Sequence, residues 1–240
     1  MCKMKEDVIV VSDIDGTLTP IKSSWLFIHI ILNSVYRIKN YIKLYLDDVI
    51  TYDEWVALEL GLWKGIPLSI IEKIIEKIPW RSGIESIVDL VEKYRNKVMF
   101  IAISGGLDHL GKRTIKELKF NTYLAVKLHT NNGIITGLTL SYPDYRDKGE
   151  ILLEFLDING MDLRKTKVIC IGDNINDIGL FKVCNTTIAF CANKNLEKYA
   201  DIVIRSCNIR ILATLLNKIL DNILYVKNHV KCETNHINDK

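Results

Sequence analysis

Apolar and polar positions along the chain fall into two alternating rhythms. Val8-Ile9-Val10-Val11 is a β-branched run of the kind that forms a strand buried on both faces of a parallel sheet, and Gly16 and Pro20 end it in a loop. Residues 23–46 then carry Leu26, Ile30, Val35, Ile38, Ile42 and Leu46 at helical spacing, which predicts one long helix opened by Ser23 or Ser24 as its N-cap. Two further helices are expected over 52–63 and 68–78, punctuated by Gly65-Ile66-Pro67 and Pro79. No convincing strand lies in this block, so 21–79 reads as a helical insert.

From Ser82 the pattern changes to helix 84–94, strand 97–103 and helix 107–118. Residues 121–128 and 134–141 flank Thr130-Asn131-Asn132-Gly133, a hairpin signal in which Asn-Gly supplies the left-handed turn positions. Helix 148–156, strand 167–171, helix 175–184 and strands 186–190 and 201–204 follow. A closing helix, 209–226, precedes a polar tail, 227–240, that is expected to fray. Strands alternating with helices make this an α/β chain with a doubly wound parallel sheet, whose ligands bind at the carboxyl ends of the strands. Its core is expected from 1–20 and 80–226, with the helical insert as a second, smaller module.

Composition narrows the class without naming the chemistry. The 240 residues are 48% hydrophobic and 25% charged, an ordinary globular balance, and the net charge of +3 compels neither a nucleic-acid nor a membrane partner. Six cysteines are scattered without a CxxC pair, which argues against zinc and is read as reduced thiols of a cytoplasmic protein. Residues 1–7 are charged and leave no room for a signal peptide before the first strand. The most lipid-like stretch, 25–32, falls far short of the ~20 residues that span a bilayer, and it reads as a buried helix face. A monomer or homodimer is expected.

Chemistry enters where the first strand stops. Asp13 and Asp15, two residues apart, can share one crevice, which suits either a metal ion or acid–base work. Three more loops are expected at the carboxyl ends of predicted strands, where the sheet would bring them beside Asp13. Ser104-Gly105-Gly106 offers a hydroxyl and backbone N–H groups able to hold a phosphate, although a helix cap would look the same. Lys148, in Asp147-Lys148-Gly149, opens a helix. Gly172-Asp173-Asn174-Ile175-Asn176-Asp177 places two more acids at another strand end. Carboxylates gathered in one crevice repel unless a cation sits among them, and an all-oxygen site suits Mg²⁺. With a phosphate present, one carboxylate could attack phosphorus while its neighbour moves protons.

Taken together and in this order, these four elements resemble the haloacid dehalogenase superfamily of phosphohydrolases, most closely its phosphoserine phosphatase branch. The resemblance spans nearly the whole chain. It implies a Rossmann-like core, a helical cap inserted after the first strand, a β-hairpin, and hydrolysis of a small phosphorylated metabolite through an aspartyl-phosphate. It further implies Asp13 as nucleophile and Mg²⁺ ligand, and Asp15 as general acid–base lending its backbone carbonyl to the metal. Ser104, Gly105 and Asn176 would contact phosphate, Lys148 would neutralise charge, Asp173 would ligate the metal, and Asp177 would act from behind the direct ligands. The acid at Asp15 argues against the dehalogenases themselves. Phosphoserine phosphatases carry a glutamate shortly after the first motif, where this chain has Lys22, and the segment is basic through Lys22, Arg37, Lys39 and Lys43. The expected substrate is therefore a small phosphomonoester other than phosphoserine, one with an additional anionic group being an option, and the competing reading of these basic residues is a solvated helix face. A phosphotransferase or mutase using the same intermediate, and a non-catalytic binding protein on the same fold, are the competing readings.

Overall fold

The computed structural model describes residues 8–140 and 147–237, with side chains described as far as residue 226. The expectations for residues 1–7, for Ser141 and for the side chains of the tail lie outside the described residues.

The elements run β1 (Val8–Ser12), α1 (Ser24–Ile31), α2 (Val35–Leu46), α3 (Tyr52–Gly61), α4 (Leu68–Ile75), α5 (Glu85–Tyr94), β2 (Met99–Leu107) and α6 (Asp108–Leu118). They continue with β3 (Thr122–Val126), β4 (Leu128–Asn131), β5 (Ile134–Thr139), α7 (Lys148–Ile158), β6 (Lys167–Gly172), a 3-10 turn Ile175–Asp177, and α8 (Ile178–Val183). The last are β7 (Thr186–Phe190), α9 (Lys194–Glu197), β8 (Ile202–Ile204) and α10 (Ile209–Ile237). Six strands form one parallel sheet in the order β3-β2-β1-β6-β7-β8, while β4 and β5 pair antiparallel apart from it.

β1 lies inside the sheet and is buried along its whole length. The two-residue period of a strand divides its side chains between two cores. Val8 and Val10 join Phe100, Ile169 and Phe190 on the face covered by α5 and α10, whereas Ile9 and Val11 join Ile101, Val168 and Cys170 under α7 and α8. Burial of one such side chain is worth about 1.5–3 kcal/mol, so a one-residue slip of β1 would misplace the whole set. The first core runs on into the helical insert through Ile28, Leu60, Trp63, Ile71 and Ile75.

Several elements differ from expectation for identifiable reasons. The helix expected over 23–46 is two, α1 and α2, because Asn33 takes a left-handed φ of 53° and the His29 Nδ1 and Ser34 Oγ atoms lie 2.7 Å apart across the break. The strand expected over 121–128 divides: β3 extends the main sheet beside β2, and only β4 enters the hairpin. Its turn forms as the sequence predicts, with Asn132 and Gly133 at φ 48° and 78°. The closing helix passes residue 226 and continues to Ile237, since no Gly or Pro interrupts 209–237.

The reading of the cysteines as free thiols is corrected for four of the six, while Cys2 and the side chain of Cys232 lie outside the described residues. Cys170 is bonded to Cys184 and Cys191 to Cys207, with Cα atoms 6.0 and 4.8 Å apart, the usual reach of a disulfide. These partners are separated by 14 and 16 residues and are brought together by the sheet, not by local spacing. No described helix is long and apolar enough to cross a membrane.

Candidate active site

The strand register assembles the site. Ser12 pairs with Ala102 on one side and with Ile171 on the other, so Asp13, Ser104 and Asp173 each emerge one or two residues past the last paired row. The Asp13 N–H still donates to the Ile171 carbonyl at 2.9 Å. The chain then turns tightly on the Ile14 carbonyl, which accepts from the N–H groups of Thr17, Leu18 and Thr19. Gly16 sits at φ 79° in this turn, and a Cβ there would press on the Asp173 carboxylate, so only glycine satisfies both the backbone and the space. Buried Arg81 fastens the turn, its Nε donating to the Thr17 carbonyl at 2.8 Å and its guanidinium to that of Gly16 at 2.5 Å.

Asp13, Asp173 and Asp177 are all buried, and one carboxylate oxygen from each lies within 4.8 Å of the others. Lys148, 1% exposed at the first turn of α7, places its Nζ 2.8 Å from Asp13 Oδ1 and 2.9 Å from Asp177 Oδ1. Its helix is capped by the Asp147 carboxylate, which accepts from the Gly149 N–H at 2.7 Å. Asp177 Oδ2 accepts from the N–H groups of Asp173 and Asn174 at 3.0 and 3.1 Å, which leaves this side chain bracing the loop rather than pointing outward. Asn176 is exposed on the intervening 3-10 turn at the same strand end.

Burial, opposed by Lys148 and reinforced by Asp177 and Asp173, raises the pKa of Asp13 well above the ordinary carboxylate value. Asp173 is raised too, first by burial, with Lys22 acting against it and Asp177 with it. Protonation is thus favoured where several acids meet, and a bound cation would reverse the preference. Three carboxylates with hard oxygen donors fit a divalent ion of the Mg²⁺ type, which keeps waters and needs few protein ligands.

Asp15 is held apart from this cluster. Its Oδ2 accepts from the Ser24 N–H at 2.8 Å and the Ser24 Oγ at 2.6 Å, at the start of α1. Ser104 Oγ accepts from the Gly106 N–H at 3.0 Å. A Cβ on Gly106 would stand 2.8 Å from Ser24 Oγ, 3.0 Å from Asp15 Oδ2 and 3.2 Å from Ser104 Oγ. Gly106 is therefore where the Asp15 carboxylate, the Ser24 hydroxyl and the Ser104 hydroxyl meet. Gly106→Ala is expected to lower kcat/KM by about 10²-fold, the usual consequence of displacing reacting groups by around an ångström. Steady-state kinetics reading the wild-type value would show that these three groups do not act as a unit.

In the sequence Ser24 shows only as a candidate helix cap. Ser24 was accessible through its position at the helix start. Arg81 carries no local signal. Lys22, expected in the substrate-binding segment, instead bonds Asp173 Oδ2 at 2.5 Å and the Cys191 carbonyl at 3.1 Å. Arg37 is exposed and donates to its neighbour Tyr36, and Lys39 and Lys43 are exposed on α2.

The profile of the haloacid dehalogenase-like hydrolase family matches residues 10–182. A phosphoserine phosphatase of Methanocaldococcus jannaschii is 29% identical over 176 residues, covering 72% of this chain and 81% of the relative. One of Lactococcus lactis is 25% identical over 173 residues, 72% of this chain and 78% of that one. A solved phosphoserine phosphatase, captured as a phospho-aspartyl intermediate analogue, superposes with a TM-score of 0.71 at 27% identity, over 88% of this chain and 99% of the other.

Proposed function

The chain belongs to the haloacid dehalogenase-like hydrolases, in their phosphoserine phosphatase-like branch, and from that premise we propose that it is a Mg²⁺-dependent phosphatase acting on a small phosphomonoester other than phosphoserine. The observation that carries this reading is the separation of the two acids of the first motif. Asp13 is buried against Lys148, Asp173 and Asp177, while Asp15 is turned toward Ser24.

In the first step an ionised Asp13 oxygen attacks phosphorus, the ester P–O bond breaks, and the leaving oxygen takes a proton from Asp15. In the second, Asp15 removes a proton from water as the water oxygen attacks phosphorus, which frees inorganic phosphate and restores Asp13. Lys148 favours the ionised form of Asp13 against the effect of burial and balances the incoming phosphate. Ser104 and the backbone of Gly105 hold the phosphoryl oxygens, with Asn176 beside them. Ser24 keeps the Asp15 carboxyl aimed through both steps. Mg²⁺, held by Asp13, Asp173 and the Asp15 carbonyl with Asp177 behind them, would supply charge neutralisation.

Asp15→Asn tests the division of labour. With acetyl phosphate, whose leaving group needs no proton, the variant should accumulate a phosphorylated protein visible by intact mass spectrometry. Its turnover should fall about 10²–10⁴-fold. Wild-type turnover would remove Asp15 from the proton-transfer role.

A further inference from the structure

Beside the catalytic groups lies a cavity of about 300 Å³, roughly ten waters' worth of space and enough for more than a phosphate. Ser23 and Gly105 both line it. Ser23 precedes the serine that orients Asp15, and Gly105 follows Ser104, so the cavity adjoins the place where a leaving oxygen would be protonated. Trp25 forms one wall, and its Nε1 donates to the Gly105 carbonyl at 2.9 Å, which ties that wall to the phosphate loop. The remaining wall is hydrocarbon and aromatic, chiefly Ile42, Trp55 and Val56.

Among the described residues no lysine or arginine lines this cavity. The basic residues that led to an expected anionic substituent are not among its lining residues: Lys22 bonds Asp173, and Arg37, Lys39 and Lys43 are exposed on α2. Glu59, the one charged lining group among the described residues, is already engaged. Trp55 Nε1 donates to its Oε1 at 2.8 Å, and His29 Nε2 stands 3.5 Å from its Oε2. A carboxylate on the leaving group would lose its water, meet no cation among the described lining residues and face this acid. We propose that the cavity receives the leaving group and that the physiological substrate is a phosphomonoester of an apolar alcohol.

This rests on the phosphatase reading above, and the experiment separates the two. The full chain with Mg²⁺ is assayed on acetyl phosphate, too small to need the cavity, and on ethyl, butyl and hexyl phosphate, whose leaving groups have nearly the same intrinsic reactivity. Phosphoserine and phosphoglycolate are the polar competitors. With an apolar chamber, kcat/KM rises by about fourfold per methylene until the space is filled, and hexyl phosphate exceeds both competitors by at least about tenfold. Failure to hydrolyse acetyl phosphate would overturn the phosphatase reading and this inference with it. Hydrolysis of acetyl phosphate with a flat alkyl series, or with phosphoserine equal to hexyl phosphate, would overturn this inference alone. Ile42→Asp should lower the hexyl-to-ethyl ratio of kcat/KM by about tenfold or more, with Ile42→Ser as the milder change should the first not fold; an unchanged ratio would also overturn it.

Discussion

Asp13→Asn is expected to lower kcat by at least about 10⁴-fold, because an amide cannot attack phosphorus and no other carboxylate is placed to replace it. Asp173 and Asp177 lie close by, but the first is paired with Lys22 and the second spends both oxygens on Lys148 and two backbone N–H groups. The substitution should not unfold the protein. Asn has nearly the same shape, Lys148 keeps Asp177, and a buried carboxylate that burial already disfavours is removed. Phosphate release and thermal unfolding measured on the same preparation check both halves. Retained turnover would refute Asp13 as nucleophile, and a collapse in melting temperature would mean that lost activity reports lost folding.

Lys148→Met should act on stability as well as on rate. The change leaves Asp13 and Asp177 without the ammonium that bridges them, and breaking a buried pair from one side costs about 3–5 kcal/mol. For a chain of this size that is a fall in Tm of about 6–20 °C. The deficit has a definite pH sign. Asp13 has a folded-state pKa above its unfolded value, so its contribution is fully present below the unfolded value and is lost as pH rises through the folded one. Removing Lys148 removes the main influence that lowers the Asp13 value. The loss of Tm should therefore be largest at neutral and alkaline pH and should shrink on acidification toward about pH 4. Calorimetry of the metal-free proteins across that range measures it, and a pH-independent deficit would place the cost in packing rather than charge.

Much of the sheet could be read from the chain because its strands are local apolar runs buried on both faces, as with Val8 to Val11. The site was legible for a related reason. Three of the four motifs lie at the end of such a run, and a parallel sheet carries those ends to one edge, whereas Lys148 stands at the start of α7. What escaped depends on contacts distant in sequence. The break at Asn33 is invisible to a helical period that continues unbroken through it. The disulfides join residues whose proximity exists only once β6 and β7 are paired and α8 and α10 packed. Lys22 looked like a recognition residue because its neighbours in sequence are basic, yet its partner Asp173 lies 151 positions away. The expected anionic substituent rested on the same kind of signal, and charge along α2 says nothing of which side of α2 faces the cavity.

The hairpin formed by β4 and β5 is not an ornament of the sheet. Its backbone bonds to the loop between α3 and α4, with Gly65 N–H to the Ile135 carbonyl at 2.9 Å, Ile135 N–H to the Ile66 carbonyl at 3.0 Å and Leu68 N–H to the Gly133 carbonyl at 2.8 Å. For protein engineering this makes the cap a two-part cassette. A graft that moved 21–79 alone onto another hydrolase would leave those backbone groups unmatched, whereas 21–79 and 127–140 transplanted together would carry their own fastening.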